Sequence, residues 1–160
     1  MPALMDAVRA NEVKRVRELI AQGADVDERD AGGDAPLVIA AYEGYTEIVR
    51  LLLEAGADVA AVDPGMQATA LHAAAYAGRT EAARLLVEHH VDVDKQGPVN
   101  GYTALHDAIW QGHVETARAI ISSGANLNLR AHDGQTPFEL ARARGAKEIV
   151  ALIEERLARE

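Results

Sequence analysis

A repeat of 33 or 34 residues constrains the fold of this chain more than any other feature of its sequence. Two independent series of marker residues share this period. The first marker is a glycine after a short alanine-rich segment, found at Gly44, Gly78, Gly112 and Gly145. The second is found at Gly23, Gly56, His90 and Gly124. A unit of this length buries its apolar face only against a neighbouring unit, so the sequence predicts a stacked repeat array.

Apolar residues between the two markers follow helical spacing. They recur three and four positions apart within residues 48–53, 82–87, 114–121 and 149–153, as on one face of an amphipathic helix. Each unit is therefore predicted to contain a turn, a short helix, a glycine turn, a second helix, a glycine stop and an extended finger.

The composition indicates how such helices would pack. Alanine supplies 32 of the 160 residues, and only six residues are aromatic. Aromatic rings supply much of the buried area of a conventional core, so this core must be built from Leu, Val, Ile and Ala. Alanines at positions 40–41, 73–75 and 108 would let neighbouring first helices approach closely.

The charge balance argues against several classes of partner. The chain has 25 acidic and 16 basic residues and a net charge of −9, whereas nucleic acids and anionic membranes require clustered cations. It has no cysteine for disulfides or thiolate metal sites. It also lacks an apolar run of membrane-spanning length and a secretory leader. We expect a cytoplasmic protein, and the excess of alanine and arginine favours a bacterial source.

Short motifs within the units resemble ankyrin repeats. They are Thr-Ala-Leu-His at 69–72 and 103–106, Thr-Pro-Phe-Glu at 136–139, Gly-Ala-Asp-Val at 56–59 and Gly-Ala-Asn-Leu-Asn at 124–128. The resemblance covers essentially the whole chain. It implies an all-α repeat solenoid of stacked helix-turn-helix units with projecting β-hairpin fingers. It also implies binding to proteins through the concave face formed by the fingers and first helices.

The units form one predicted domain over residues 1–160. We place their boundaries at 1–29 (N-terminal cap), 30–62, 63–96, 97–130 and 131–160 (C-terminal cap). Stacked repeats need polar outer faces at both ends, and charged residues fit this need: Asp6, Arg9, Glu12, Lys14, Arg15 and Glu18 at the start, and residues 154–156 and 159–160 at the end. We expect a complete, monomeric solenoid without a second domain.

Three departures from the repeat pattern are informative. Ala35 and Val38 replace the Thr and His that hydrogen-bond each other in the family, and losing both partners costs less than losing one. His90 replaces a glycine expected at positive φ, where a side chain is strained. The fingers around 63–67 and 96–100 are each one residue longer. The extra residues either contact a partner or are neutral insertions.

Aromatic residues predict a binding surface. In the family, exposed variable residues lie in the fingers and just before the first-helix glycine. Tyr42, Tyr76 and Trp110 occupy this position in successive units, and such rings dominate interface energetics. The other candidate contacts are Arg9, Glu43, Met66, Asn100, Tyr102, Asp107, Gln111 and Arg144. The alternative is that the rings only cover the alanine-rich helices or fill gaps between repeats.

No pattern in the sequence indicates catalysis or a cofactor. His72 and His106 occupy the position where the family uses histidine structurally. The sequence contains no pair of histidines with zinc-ligand spacing, no nucleophile elbow and no phosphate-binding loop. The acidic residues before the fingers are predicted to bond turns, or else to form a rim that selects a basic partner. These residues are Asp25, Asp27, Asp58, Asp92 and Asp94. We expect no metal, no cofactor and no enzymatic activity.

The sequence thus predicts a non-catalytic protein–protein interaction module that presents a preformed groove to a partner protein. One alternative is a dedicated regulator or inhibitor of a single enzyme. A more remote alternative is a substrate of an asparagine hydroxylase, because Asn128 is the one residue matching the asparagine that such enzymes modify in some ankyrin repeats.

Overall fold

The computed structural model describes residues 3–160, which form ten helices arranged as five pairs. The helices are α1 (Ala3–Arg9), α2 (Val13–Ala21), α3 (Pro36–Glu43), α4 (Thr46–Glu54), α5 (Ala70–Ala77), α6 (Thr80–Glu88), α7 (Ala104–Gln111), α8 (Val114–Ser122), α9 (Pro137–Ala143) and α10 (Lys147–Ala158). Odd-numbered helices stack on one another in an inner row, and even-numbered helices stack in an outer row. This confirms the predicted all-α solenoid.

Alanine makes the inner row compact. Ala40, Ala74, Ala108 and Ala141 are fully buried on successive inner helices, and a methyl side chain allows two helix backbones to approach closely. Larger apolar side chains come from both rows. Those buried on the inner helices include Leu37, Leu71, Leu105, Ile109 and Leu140, and those on the outer helices include Ile48, Leu52, Leu86, Ile120, Ile149 and Ile153. The core is therefore a continuous column shared by all five pairs.

The two ends of the stack differ from each other. All six charged residues predicted on the outer side of the first pair are exposed. At the other end, Arg156 does not simply project into solvent. Its Nη1 donates to the carbonyl oxygen of Ile121 at 2.8 Å and its Nη2 to that of Ala125 at 3.0 Å. This arginine thus joins α10 to the last turn of α8 and to the segment that follows α8.

A threonine and a histidine connect each of α5 and α7 to the next unit. The Thr69 hydroxyl caps α5 by accepting from the backbone N–H of His72, and it lies 2.8 Å from Nδ1 of that ring. The ring Nε2 donates to the carbonyl of Tyr102 at 2.9 Å. Thr103 and His106 repeat the arrangement. The predicted structural role of both histidines is confirmed.

The fingers are not β-hairpins, contrary to expectation. Within residues 3–160 the only β pairing is an isolated bridge between Val62 and Thr69. Each finger is instead a turn closed by a backbone hydrogen bond, with closing pairs at 30–34, 63–68, 97–102 and 131–135. Side-chain oxygens such as those of Asp63 accept from the turn amides, so these amides need no strand partner. The one-residue extension of the second and third fingers is observed.

The backbone at His90 has the expected left-handed conformation, with φ of 63°. A side chain at this φ is strained, whereas glycine is not. We therefore expect His90→Gly to raise the free energy of unfolding by roughly 0.5–1 kcal/mol, measured by chemical denaturation.

His89→Gly is the matched control for this prediction. His89 has φ of −95°, and its Nδ1 donates to the carbonyl of Leu85 at 2.9 Å. The control should lower stability, since it adds backbone freedom without relieving strain. A His90→Gly protein that is no more stable than the parent would contradict the prediction.

The Thr69–His72 pair can be tested by a double-mutant cycle. Each single variant, Thr69→Ala or His72→Val, removes one partner and should cost about 1–3 kcal/mol at pH 7.5. The double variant should cost less than the sum, because the native second unit already carries Ala35 and Val38 at these positions. Additive losses in denaturant titrations would contradict this coupling.

The same variants should change the response to acid. Burial lowers the pKa of His72, so the unfolded chain binds a proton more readily, and stability falls as the pH drops below about 6.5. The deficit of His72→Val relative to the parent should therefore shrink between pH 7.5 and pH 5. His132→Val, which removes a histidine from an exposed position on the last finger, is the control variant.

Candidate functional site

One groove of about 930 Å³ lies between the fingers and the inner helices. It extends from the finger at Asp34 to the finger at Asp133 and thus crosses four of the five units. Val38, Ile39 and Ala73 contribute apolar side chains to its lining. The groove is large enough for a peptide segment or several side chains of a partner.

Tyr42, Tyr76 and Trp110 line this groove in register, each near the end of its inner helix. Their exposed fractions are nearly equal at 47%, 47% and 45%. Each ring is thus packed on one part of its surface and open to solvent on another. The predicted aromatic row is present in the structure.

Hydrogen bonds between units hold the backbone of this row. Nε of Arg79 donates to the carbonyl of Tyr42 at 3.0 Å, and Nε2 of His113 donates to the carbonyl of Tyr76 at 3.0 Å. Each donor belongs to the unit after the ring that it holds. These bonds fix the relative position of neighbouring units where the rings project.

Glycine at positions 44 and 78 permits the hydrogen bonds from Arg79 and His113 for two reasons. Gly44 and Gly78 have φ of 76° and 73°, which favours glycine. A Cβ at Gly44 would also lie 2.7 Å from Cδ of Arg79, and one at Gly78 would lie 2.8 Å from Nδ1 of His113. At these two positions the glycine therefore ends the inner helix and leaves room for the side chain from the next unit.

Tyr102 faces the aromatic row from its finger, as predicted. Its ring stacks on His106 with a centroid distance of 5.1 Å and meets the edge of Trp110 at 6.3 Å. The side chain of Asn100 positions this finger by accepting from the backbone N–H of Tyr102 at 2.9 Å. Burial raises the pKa of the Tyr102 hydroxyl, which stays a neutral hydrogen-bonding group.

The structure brings seven of the eleven predicted contact residues to the groove. They are Tyr42, Met66, Tyr76, Asn100, Tyr102, Asp107 and Trp110.

Arg9 lies apart from the groove lining, because its guanidinium forms ion pairs with Asp30 at 2.6 Å and Asp34 at 2.9 Å. The hydrogen bond that Arg9 donates to Asp30 is the main cause of the lowered pKa of that carboxyl group. Arg9 thus joins the first unit to the finger of the second.

The three other predicted contacts do not line the groove. The Arg144 guanidinium lies 4.0 Å from the centroid of the Trp110 ring, a cation–π contact. Arg144 and Gln111 border a smaller hollow of about 400 Å³ next to this tryptophan. Glu43 is exposed at the end of α3. These residues flank the aromatic row without joining its groove.

Several lining residues were not anticipated from the sequence. Val99 is 55% exposed at the tip of its finger, and His132 and Asp133 close the far end. Val38 lies in the lining, and its counterparts in the next two units are histidines. That substitution could have indicated a more apolar groove at the second unit, and Val99 lies in the lengthened finger at 96–100.

Asp107 is the unusual ionisable group of the groove. Its side chain is partly buried on α7, and burial raises the pKa of its carboxyl group to about 7. Within residues 3–160 its carboxyl oxygens take part in no hydrogen bond or ion pair. Asp107 is therefore in equilibrium between its charged and neutral forms near neutral pH.

Two other kinds of site are not found in the described part of the chain. No cluster of three or more potential ligands among residues 3–160 could hold a metal ion. None of the ten helices is long and apolar enough to cross a membrane.

Asn128, the candidate for hydroxylation, is exposed, and its backbone N–H donates to Oδ1 of Asn126 at 2.9 Å.

A family model described as ankyrin repeats (3 copies) matches residues 1–63 and 60–131. The chain is 41% identical over 58 residues to human protein phosphatase 1 regulatory subunit 27, covering 36% of this chain and 38% of that protein. It is 46% identical over 56 residues to bovine mitochondrial disaggregase, covering 35% of this chain and 8% of that protein. A putative ankyrin repeat protein from Rickettsia bellii is 40% identical over 62 residues, covering 39% and 26% respectively. The chain thus spans 8–38% of the length of these relatives.

The raised pKa of Asp107 predicts a pH-dependent stability. An unfolded aspartate ionises near pH 4, so above that pH the buried carboxylate costs stability, and the cost grows until about pH 7. Asp107→Asn should therefore raise the free energy of unfolding by about 1–3 kcal/mol at pH 8 and change it little at pH 4. Glu43→Gln, at an exposed position, is the control. Equal effects of Asp107→Asn at both pH values in denaturant titrations would contradict the prediction.

Proposed function

Because the chain belongs to the ankyrin repeat family, we propose that it is a non-catalytic module that binds one segment of a partner protein in its groove. The groove is formed by the fingers and inner helices, and its main contacts are the rings of Tyr42, Tyr76, Tyr102 and Trp110. Ankyrin repeats are protein-interaction modules, and the groove supplies a surface for this role.

The distribution of exposed apolar side chains is the observation that carries this proposal. Six large apolar side chains are exposed within residues 3–160, and five of them line this one groove: Tyr42, Met66, Tyr76, Val99 and Trp110. The sixth, Leu157, lies on the last helix. Clustered exposed apolar groups, particularly aromatic ones, characterise binding sites. Their scarcity elsewhere also supports a monomer.

The rigidity of the site supports the same function. The inter-unit bonds from Arg79 and His113 hold the backbone at Tyr42 and Tyr76 before any partner arrives. Tyr102 is held by its stacking on His106. A preformed surface loses less conformational entropy on binding than a flexible one, so more of the contact energy contributes to affinity.

A regulatory role is the second candidate. The similarity to a protein named as a regulatory subunit of protein phosphatase 1 favours it. In that case the bound partner would be an enzyme, and occupation of the groove would change its rate. Measuring the activity of a captured partner with and without the chain distinguishes regulation from passive binding.

Removal of two rings tests the proposed function. Tyr76→Ala/Trp110→Ala should abolish capture of partner proteins by the immobilised chain, because these residues are at the centre of the groove. The helical circular dichroism should stay unchanged, since both side chains are nearly half exposed.

The matched control lies on the other side of the stack. Arg50→Ala/Arg84→Ala removes two exposed side chains from α4 and α6, each paired only within its own helix. This variant should capture the same partners as the parent. Equal capture by the folded Tyr76→Ala/Trp110→Ala variant would show that the groove is not the binding site.

A further inference from the structure

Four carboxylates line the groove, and three of them already form an ion pair or accept hydrogen bonds. Asp34 is paired with Arg9. Asp63 accepts from three backbone N–H groups of its own finger at 2.6–3.0 Å. Asp133 accepts from the backbone N–H of Gln135 at 3.0 Å. Each of these three carboxylates therefore already has at least one partner in or beside its finger.

Asp107 is the exception among the four. It has no hydrogen-bond or ion-pair partner within residues 3–160, and the groove lining contains neither lysine nor arginine. It precedes Trp110 by three residues on α7, so both side chains lie on one face of that helix. A carboxylate left partly buried without a counter-charge is costly, and an incoming cation would remove that cost.

The other titratable groups that line the groove do not supply a counter-charge for the Asp107 carboxylate. His72 uses Nε2 to donate to the carbonyl of Tyr102 and is held neutral by burial. Tyr102 is neutral, and His132 lies on the last finger. Asp34, Asp63 and Asp133 add negative charge to the same groove. The electrostatic character of the groove is therefore acidic over an apolar lining.

The aromatic side chains that line the groove can contact a bound cation. Trp110 already has the guanidinium of Arg144 at 4.0 Å from its ring centroid, so this ring forms cation–π contacts in the present structure. Tyr76 and Tyr102 line the same groove. The carbon stem of a lysine or arginine can pack on such rings while its charged end meets a carboxylate.

We propose that Asp107 binds the charged end of a lysine or arginine in the partner segment, whose neighbouring apolar side chains pack on the aromatic row. This inference rests on the proposed function and specifies the chemistry of the partner: an apolar segment that carries a basic residue at one fixed position. The ion pair forms inside the groove, where screening by salt is weaker than on an open surface. It selects against partners with an acidic or uncharged residue at that position.

Selection from a displayed library of random linear peptides tests the proposal. The targets are the full parent chain, Asp107→Asn, Glu54→Gln and Tyr76→Ala/Trp110→Ala. Peptides selected on the parent should carry lysine or arginine at one position among apolar residues. Calorimetry should show that they bind Asp107→Asn about tenfold or more weakly. Glu54→Gln, which loses the same charge from an exposed position at the end of α4 in the outer row, should bind them like the parent.

The outcomes separate the two proposals. Parent-selected peptides without a basic residue, or with equal affinity for Asp107→Asn, overturn the inference while leaving the proposed function intact, provided Tyr76→Ala/Trp110→Ala fails to bind them. Equal binding by Tyr76→Ala/Trp110→Ala, or no enriched peptide at all, overturns the proposed function and this inference with it. Circular dichroism of each variant verifies that it is folded.

A pH series supplies a second readout. The ion pair requires the charged carboxylate, so affinity of the parent for a selected peptide should fall as the pH drops from 8 to 6. The Asp107→Asn variant keeps His72, His132, Tyr102 and the other three carboxylates, and its residual affinity should vary less over this range. Parallel pH profiles for the two proteins would overturn the assignment to Asp107.

Discussion

Close contact between the inner helices of neighbouring units is the constraint on which the rest of the structure depends. It requires alanine where the helices meet, and Ala40, Ala74, Ala108 and Ala141 are fully buried there. A larger side chain at these positions would separate the units and lengthen the bonds from Arg79 and His113 to the preceding carbonyls. The spacing of Tyr42, Tyr76 and Trp110 follows from the same contact, so the composition of the core determines the geometry of the groove.

The sequence was sufficient to predict features that depend on one repeat at a time. The period, the threonine caps, the left-handed glycines and the register of the aromatic row follow from local chemistry and a 33- or 34-residue spacing. These properties need only the neighbours in the chain and the repetition of the unit.

Features that depend on side chains of two units could not be predicted in the same way. Arg9 pairs with Asp30 and Asp34, and Arg156 contacts the carbonyl oxygens at the end of α8 and just after it. These contacts join residues more than twenty positions apart. The isolation of Asp107 is of the same kind, because it depends on which nearby groups are already bonded. The fingers differed from expectation because aspartate oxygens bond their turns and replace a strand ladder.

The bonds from Arg79 and His113 end on backbone carbonyl oxygens, and every amino acid has such an oxygen. The scaffold therefore holds the positions of Tyr42 and Tyr76 without depending on the side chains found there. Under the proposed function, substitutions at these two positions alter which partner is bound while the stacking of the units is retained. Recognition and folding then depend on different groups, and a repeat protein of this kind can acquire a new specificity through few mutations.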